Sequence, residues 1–295
     1  MPTAVTPILE IGYLSAGDPA GVPVVLLHGF PYDVRSYEAV TPLLAEAGAR
    51  VIVPYLRGYG PTRFRSADTM RSGQQAALGQ DLIELMDALG VNRAVVGGYD
   101  WGGRAACVTA ALHPERVLGL VTAEGYLVQD LARALEPGSP QAEKANWYQH
   151  YFQTESGRIG LARDREALCG LLWRDWSPTW RDAEPAFRRS APSLHNPDFV
   201  EVAIHSYRHR RLTAPGDPAY DAAEARLAAA PPIAAPTVVL SPADDGFGPT
   251  DPQADRAKFT GPFEGRVLPG VGHNPPQEDP AAFAEAVRWV LGQAG

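Results

Sequence analysis

The sequence predicts an α/β protein: a mostly parallel central sheet with helices on both faces, and a helical segment inserted before the last strands. Three observations carry this. Four apolar runs within the first 125 residues are continuous rather than alternating in polarity, as strands buried on both faces are. Helix-period stretches lie between them, which parallel strands need for their crossovers. Near Tyr126 the alternation gives way to a stretch rich in Trp, Arg, Pro and Ala, and it resumes after Pro232. A chain of 295 residues accommodates one such domain with an insertion, divided as core 1–127, insertion 128–233 and core 234–295.

In chain order, VPVVLLHG (22–29) reads as the first buried strand and 35–48 as a helix. ARVIVPYL (49–56) is the next strand, followed by a helix at 76–89, the strand RAVVGG (93–98), a helix at 102–113 and the strand RVLGLVTA (116–123). Helical stretches at 141–152 and 155–173 occupy the insertion, with no convincing strand. PTVVLSPADD (236–245) is a strand ending in acids, and GRVLPGVGHN (265–274) is another. PAAFAEAVRWVL (280–291) is a terminal amphipathic helix with proline at its start. The 29 glycines and 28 prolines gather at turns and in the insertion, and there is no internal repeat.

Composition narrows the function classes. Hydrophobic residues make up 45% of the chain, enough for a sizeable core. The net charge of −8 and the absence of a long basic run argue against a nucleic-acid partner. The one dense basic stretch, Arg208–His209–Arg210–Arg211, reads as a solvated face. Two cysteines, Cys107 and Cys169, read as free buried thiols of a reducing compartment. With no leader pattern and no membrane-length apolar run, a cytoplasmic protein is expected. Assembly is left open, a homodimer included.

GGYDWGG (97–103) is the stretch that points to chemistry. It lies between a strand and a helix, like the sharp elbow on which hydrolases hold a nucleophile, with Asp100 in the central place. A carboxylate held there can attack a saturated carbon and form an alkyl ester. The alternative is a glycine-rich turn in which Asp100 caps the helix. HGFP (28–31) follows the first buried strand, where the Phe30 N–H would serve an oxyanion hole together with the N–H of Trp101. His28 itself reads as a structural hydrogen-bonder. His273 follows the last strand, in the chain-order slot of a general base. Asp245 is the favoured third member, Asp244 and Glu124 being the alternative acids. His113 reads as a helix-end residue, and His150, His195, His205 and His209 as surface, packing or capping residues of the insertion.

Together, HGFP, the GGYDWGG elbow, the acids at 244–245 and GVGHN resemble the α/β-hydrolase fold family, over about residues 8–293. Aspartate followed by tryptophan in the elbow is most similar to the epoxide hydrolase and haloalkane dehalogenase branch. The resemblance implies a helical cap over the site, inserted after the sixth strand, and a cis peptide before Pro31. It also implies the two-step opening of an epoxide to a vicinal diol, without metal or cofactor, on a small apolar or aromatic substrate. NWYQHYFQTESG (146–157) and HSYRHRR (205–211) resemble the two cap segments that supply ring-protonating tyrosines, and so assign Tyr148 and Tyr207 to that role. Phe30, Trp101 and Trp147 would line the substrate pocket. The alternatives are a haloalkane or haloacid dehalogenase using the same triad, for which position 30 lacks a side-chain donor, and a non-catalytic binder of the same fold.

Overall fold

The computed structural model describes residues 1–293. Nine strands form one sheet: β1 (Thr3–Val5), β2 (Leu9–Gly17), β3 (Val22–Leu27), β4 (Ala49–Pro54), β5 (Arg63–Phe64), β6 (Ala94–Gly98), β7 (Val117–Ala123), β8 (Thr237–Pro242) and β9 (Phe263–Leu268). Their order is β1-β2-β4-β3-β6-β7-β8-β9, with β5 pairing β2 off this path. From β4 to β9 every pairing is parallel, while β1, β2 and β5 add an antiparallel edge that the sequence patterning had not marked. β2 has one solvated end, with a burial pattern that never becomes a continuous apolar run.

The helices between the strands are α1 (Val40–Ala45), α2 (Gln75–Ala88) and α3 (Asp100–Leu112). After β7 come α4 (Pro140–Ala145), α5 (Trp147–Phe152), α6 (Glu155–Arg163), α7 (Arg165–Trp176), α8 (Ala183–Ser190), α9 (Phe199–His209) and α10 (Asp221–Leu227), and after β9 come α11 (Pro275–Glu278) and α12 (Pro280–Gln293). α1 and α12 pack together as one layer, and α2, α3 and α10 pack together as the other. The insertion thus follows the seventh strand in chain order, or the sixth if the two-residue β5 is left out. Each long helical stretch expected in it is broken, at Asn146 and at Asp164, and Thr154 caps the start of α6 by accepting the Gly157 N–H. The strand expected over 265–274 ends at Leu268, because Pro269 and Gly270 (φ 75°) turn the chain. No described helix is long and apolar enough to cross a membrane.

This topology sets the place for a site. From β3 the chain steps to β4 on one side and then to β6 on the other, so a crevice opens at the C-terminal ends of β3 and β6. The insertion is pinned over that crevice by buried polar contacts. Asp33, fully buried, accepts from Ser190 Oγ (2.8 Å) and Ser193 Oγ (2.6 Å), and Trp173 Nε1 donates to Pro31 O at 3.1 Å. The tail of the insertion returns to the core, where Glu224 on α10 accepts the Ala76 N–H in the first turn of α2.

Candidate active site

Asp100 opens α3 directly after β6 with φ 49°, a left-handed conformation that costs a residue with a Cβ about 1–3 kcal/mol. Close backbone approach imposes it. A Cβ on Gly102 would lie 1.9 Å from Leu27 O, and one on Gly29 would lie 2.6 Å from the Asp100 Cβ. β3, β6 and α3 therefore meet backbone to backbone, and the turn lifts the Asp100 side chain over the sheet's C-terminal edge. The carboxylate does not cap the helix, whose N-cap is Tyr99. It accepts the Phe30 N–H at 2.6 Å, just before the cis Phe30–Pro31 bond. The Trp101 N–H lies in the first turn of α3, where no intrahelical acceptor exists. Burial alone would raise the Asp100 carboxyl; His273, Arg104 and the Phe30 N–H outweigh it and hold the group below the usual carboxylate range.

His273 is buried after β9, with Nε2 at 3.9 Å from Asp100 Oδ2 and without a hydrogen-bond partner. Nδ1 lies 2.8 Å from Asp245 Oδ2 in a hydrogen bond. Glu124 Oε1 also comes to 2.9 Å from Nδ1 but makes no hydrogen bond. Glu124 has φ 71° at the end of β7, which turns its side chain back toward the site. Asp244 is half-buried in the turn and its backbone N–H donates to Val271 O. Burial opposes charge on His273, but Asp245, Glu124 and Asp100 together hold the imidazole well above its ordinary value. Burial pushes the Glu124 carboxyl up to about 7, with the His273 charge opposing and Asp245 adding to the rise. Glu124, Asp245 and His273 bring possible metal-ligand atoms within 4.8 Å of one another. Both carboxylates, however, face a single nitrogen, which is the geometry of a proton relay rather than of ligands around a common centre.

The two tyrosines named from the sequence come together. Tyr148 on α5 and Tyr207 on α9 are buried, with ring centroids 5.2 Å apart. Phe30 packs on both, at 6.4 Å and 5.2 Å, and Trp101 lies 5.9 Å from Tyr207. Backbone contacts hold the two helices in register: Gln153 Nε2 donates to Tyr207 O at 3.0 Å and Arg208 Nε to Phe152 O at 3.0 Å. The Tyr207 hydroxyl has no partner, and that of Tyr148 accepts from Gln149 Nε2 at 3.2 Å. Burial raises both phenols, so at neutral pH both hydroxyls keep their protons. Trp147 sits one layer out, half-buried, its ring centroid 6.4 Å from that of Tyr148, beside an open hollow of about 610 Å³. His28 lies beneath the site as a neutral spacer: Nδ1 donates to Gly29 O, Nε2 accepts the Leu56 N–H, and burial lowers its pKa to about 4.

Several site residues had escaped the sequence reading. Phe247, in the turn just after Asp245, faces the His273 ring at 5.2 Å, and Trp176, at the end of α7, is brought to 5.1 Å from it by the packing of the insertion. Arg104 is buried one helical turn after Asp100, a spacing that was legible but carries no motif. The basic stretch 208–211 is not a solvated face. His209 is buried, Arg208 caps the end of α5, and Arg210 turns inward with its guanidinium over the Tyr207 ring, 4.6 Å from the centroid.

A family model described as the alpha/beta hydrolase fold matches residues 22–194. Epoxide hydrolase B of Mycobacterium tuberculosis is 36% identical over 161 residues, which cover 49% of this chain and 44% of that protein. Bifunctional epoxide hydrolase 2 of Sus scrofa is 31% identical over 157 residues, 50% of this chain and 26% of that protein. The chain thus spans about half, or less, of the length of these curated relatives. A candidate epoxide hydrolase from Klebsiella pneumoniae, known as a crystal structure, superposes with a TM-score of 0.96 at 46% identity, over 98% of this chain and 96% of that one.

Proposed function

Because the chain belongs to the alpha/beta hydrolase fold family, we propose that it opens epoxides to vicinal diols through an ester on Asp100. The observation that carries this reading is the pair of buried phenols, Tyr148 and Tyr207, packed on Phe30, whose N–H binds the elbow carboxylate Asp100. The names and identities of the relatives agree with it.

In the first step an Asp100 oxygen attacks one ring carbon and the carbon–oxygen bond breaks. The ring oxygen takes a proton from one tyrosine while the other donates a hydrogen bond, leaving a hydroxyalkyl ester and a tyrosinate. Ester formation removes the Asp100 charge, which is one of the influences holding a proton on His273. The imidazole pKa falls, its proton passes to the tyrosinate, and the neutral Nε2 then takes a proton from a water that attacks the Asp100 carboxyl carbon. The oxyanion forms next to the Phe30 N–H, which already contacts Oδ1, and the Trp101 N–H. On collapse the departing alkoxide takes the carboxyl proton and leaves as the diol, so that Asp100 is again an anion and His273 again protonated. Asp245 orients the ring and stabilises its charge throughout.

A second reading rests on one observation: the buried Trp101 Nε1–H has no acceptor and could hold a leaving halide. One experiment separates the two. His273→Ala is exposed to a styrene-type epoxide and separately to a bromoalkane, and the intact protein is weighed. A gain of the whole epoxide mass on the peptide carrying Asp100 is expected. A gain of only the alkyl fragment, from the bromide alone, would move the assignment to carbon–halogen cleavage, and no adduct from either would end the ester scheme.

A further inference from the structure

Arg104, buried on α3, and Arg210, half-buried just after α9, are cations beside the site to which this mechanism gives no hydrogen bond. Arg104 is 8% exposed, and its Nε and Nη1 are buried without a hydrogen-bond partner; the Nε and Nη2 of Arg210 are in the same condition. The contrast within the protein is sharp. Arg57, also buried, is saturated: Nε and Nη2 each meet an Asp81 oxygen at 2.6 Å, and Nη1 donates to Ser72 O at 2.7 Å. A buried guanidinium left unpaired is costly, and a second cation within reach of its charge adds repulsion. Burial and the charge of Arg210 bring the Arg104 guanidinium down to about 10, still cationic at neutral pH. The acid that faces Arg104 is Asp100, and it is already engaged by Phe30 and His273.

Both cations adjoin the reacting groups. Arg104 follows Asp100 by four residues on α3, about 6 Å along the axis, and a helical side chain leans toward the N-terminal turn, here the one bearing Asp100. Arg210 comes from the opposite wall and stacks on Tyr207. From these unmatched donors on two facing elements we infer that the pocket binds an anion, and that the substrate is a short epoxy carboxylic acid. Its carboxylate pairs with Arg104 and Arg210 while the oxirane lies between Asp100 and the two tyrosines. The carboxylate is attached within a few bonds of the ring, because one helical turn separates the cation from the nucleophile. The inference revises the apolar substrate expected from sequence, and its epoxide half rests on the function proposed above.

The test has a binding arm and a turnover arm. Titration calorimetry with butanoate and with butanamide reads the anion site without any chemistry. Binding of the acid but not the amide, weakened about tenfold or more in Arg104→Met and in Arg210→Met, is expected. The turnover arm compares 2,3-epoxybutanoate with its neutral relative 2,3-epoxybutane. Wild type should favour the acid in kcat/KM, and each variant should lose at least about tenfold more on the acid than on the neutral epoxide, mainly through KM. The variants lie on separate elements, and their circular dichroism and Tm report on folding. No butanoate binding by wild type, or equal losses on both epoxides, would overturn the anion site. Butanoate binding with neither epoxide opened would retain the anion site and overturn the epoxide reading instead.

Discussion

At His273 the ring nitrogen Nδ1 faces two carboxylates, Asp245 at 2.8 Å and Glu124 at 2.9 Å, and only the first forms a hydrogen bond. Asp245 therefore orients the ring, while Glu124 acts through its charge. Anionic neighbours favour the imidazolium, so on the proposed mechanism each of them raises the pH at which His273 can act as a base. Glu124→Gln removes one such neighbour. The acid limb of the kcat profile should move to lower pH, and an unmoved limb would mean that Glu124 does not act on the imidazole through charge. The tyrosines make a second residue-scale prediction. On the proposed mechanism, Tyr207→Phe, which lacks the unpartnered hydroxyl, should lower kcat for epoxide opening by about 10²-fold, as measured by diol formation. A variant as fast as wild type would leave protonation to Tyr148 alone.

Among the elements, the β6–α3 elbow and the docking of the insertion are the two that position the chemistry. Gly102 sits where β3 and α3 touch, and its added Cβ would lie 1.9 Å from the Leu27 carbonyl oxygen. Because that neighbour is backbone, it cannot swing aside as a flexible side chain could. Gly102→Ala should destabilise the fold by about 3 kcal/mol or more in chemical denaturation, or yield insoluble protein. Asp33 works on the other side of the crevice, accepting from two serines of the insertion and from the Arg35 N–H. Asp33→Ala leaves those hydroxyls unmatched. It should raise protease sensitivity across 178–195 with a smaller effect on the sheet, as followed by limited proteolysis. Uniform resistance would mean that aromatic packing alone holds the insertion down.

For the molecule as a whole, the Arg57–Asp81 pair ties the chain after β4 to α2 beneath the site, with Tyr220 of the insertion 3.3 Å from Arg57 Nη2. Asp81→Ala would strand a buried cation and should cost about 3–5 kcal/mol in denaturant unfolding. The pair is structural, so catalysis should persist in whatever fraction remains folded. Such a buried pair also shows how the protein treats charge it needs only for folding, which is why the unmatched Arg104 and Arg210 stand out against it.

By itself the sequence determined the parallel sheet, the break for the helical insertion and the placing of Asp100 and His273 at strand ends, with Asp245, Asp244 and Glu124 left as candidate acids. These depend on signals local in the chain: continuous apolar runs, glycine at a forced turn, and chain order along a right-handed topology. Tyr148 and Tyr207 were named through family resemblance, but their 5.2 Å separation required α5 and α9 to pack. Tertiary structure alone decided the rest. The antiparallel edge strands depend on pairing partners rather than on their own pattern. Glu124 reaches His273 only because its backbone turns at φ 71°, and Trp176 only because a distant helix lies across the site. Arg210 belongs to a basic run that any local reading leaves in solvent; burial is a property of what surrounds a residue, and four letters of sequence do not carry it.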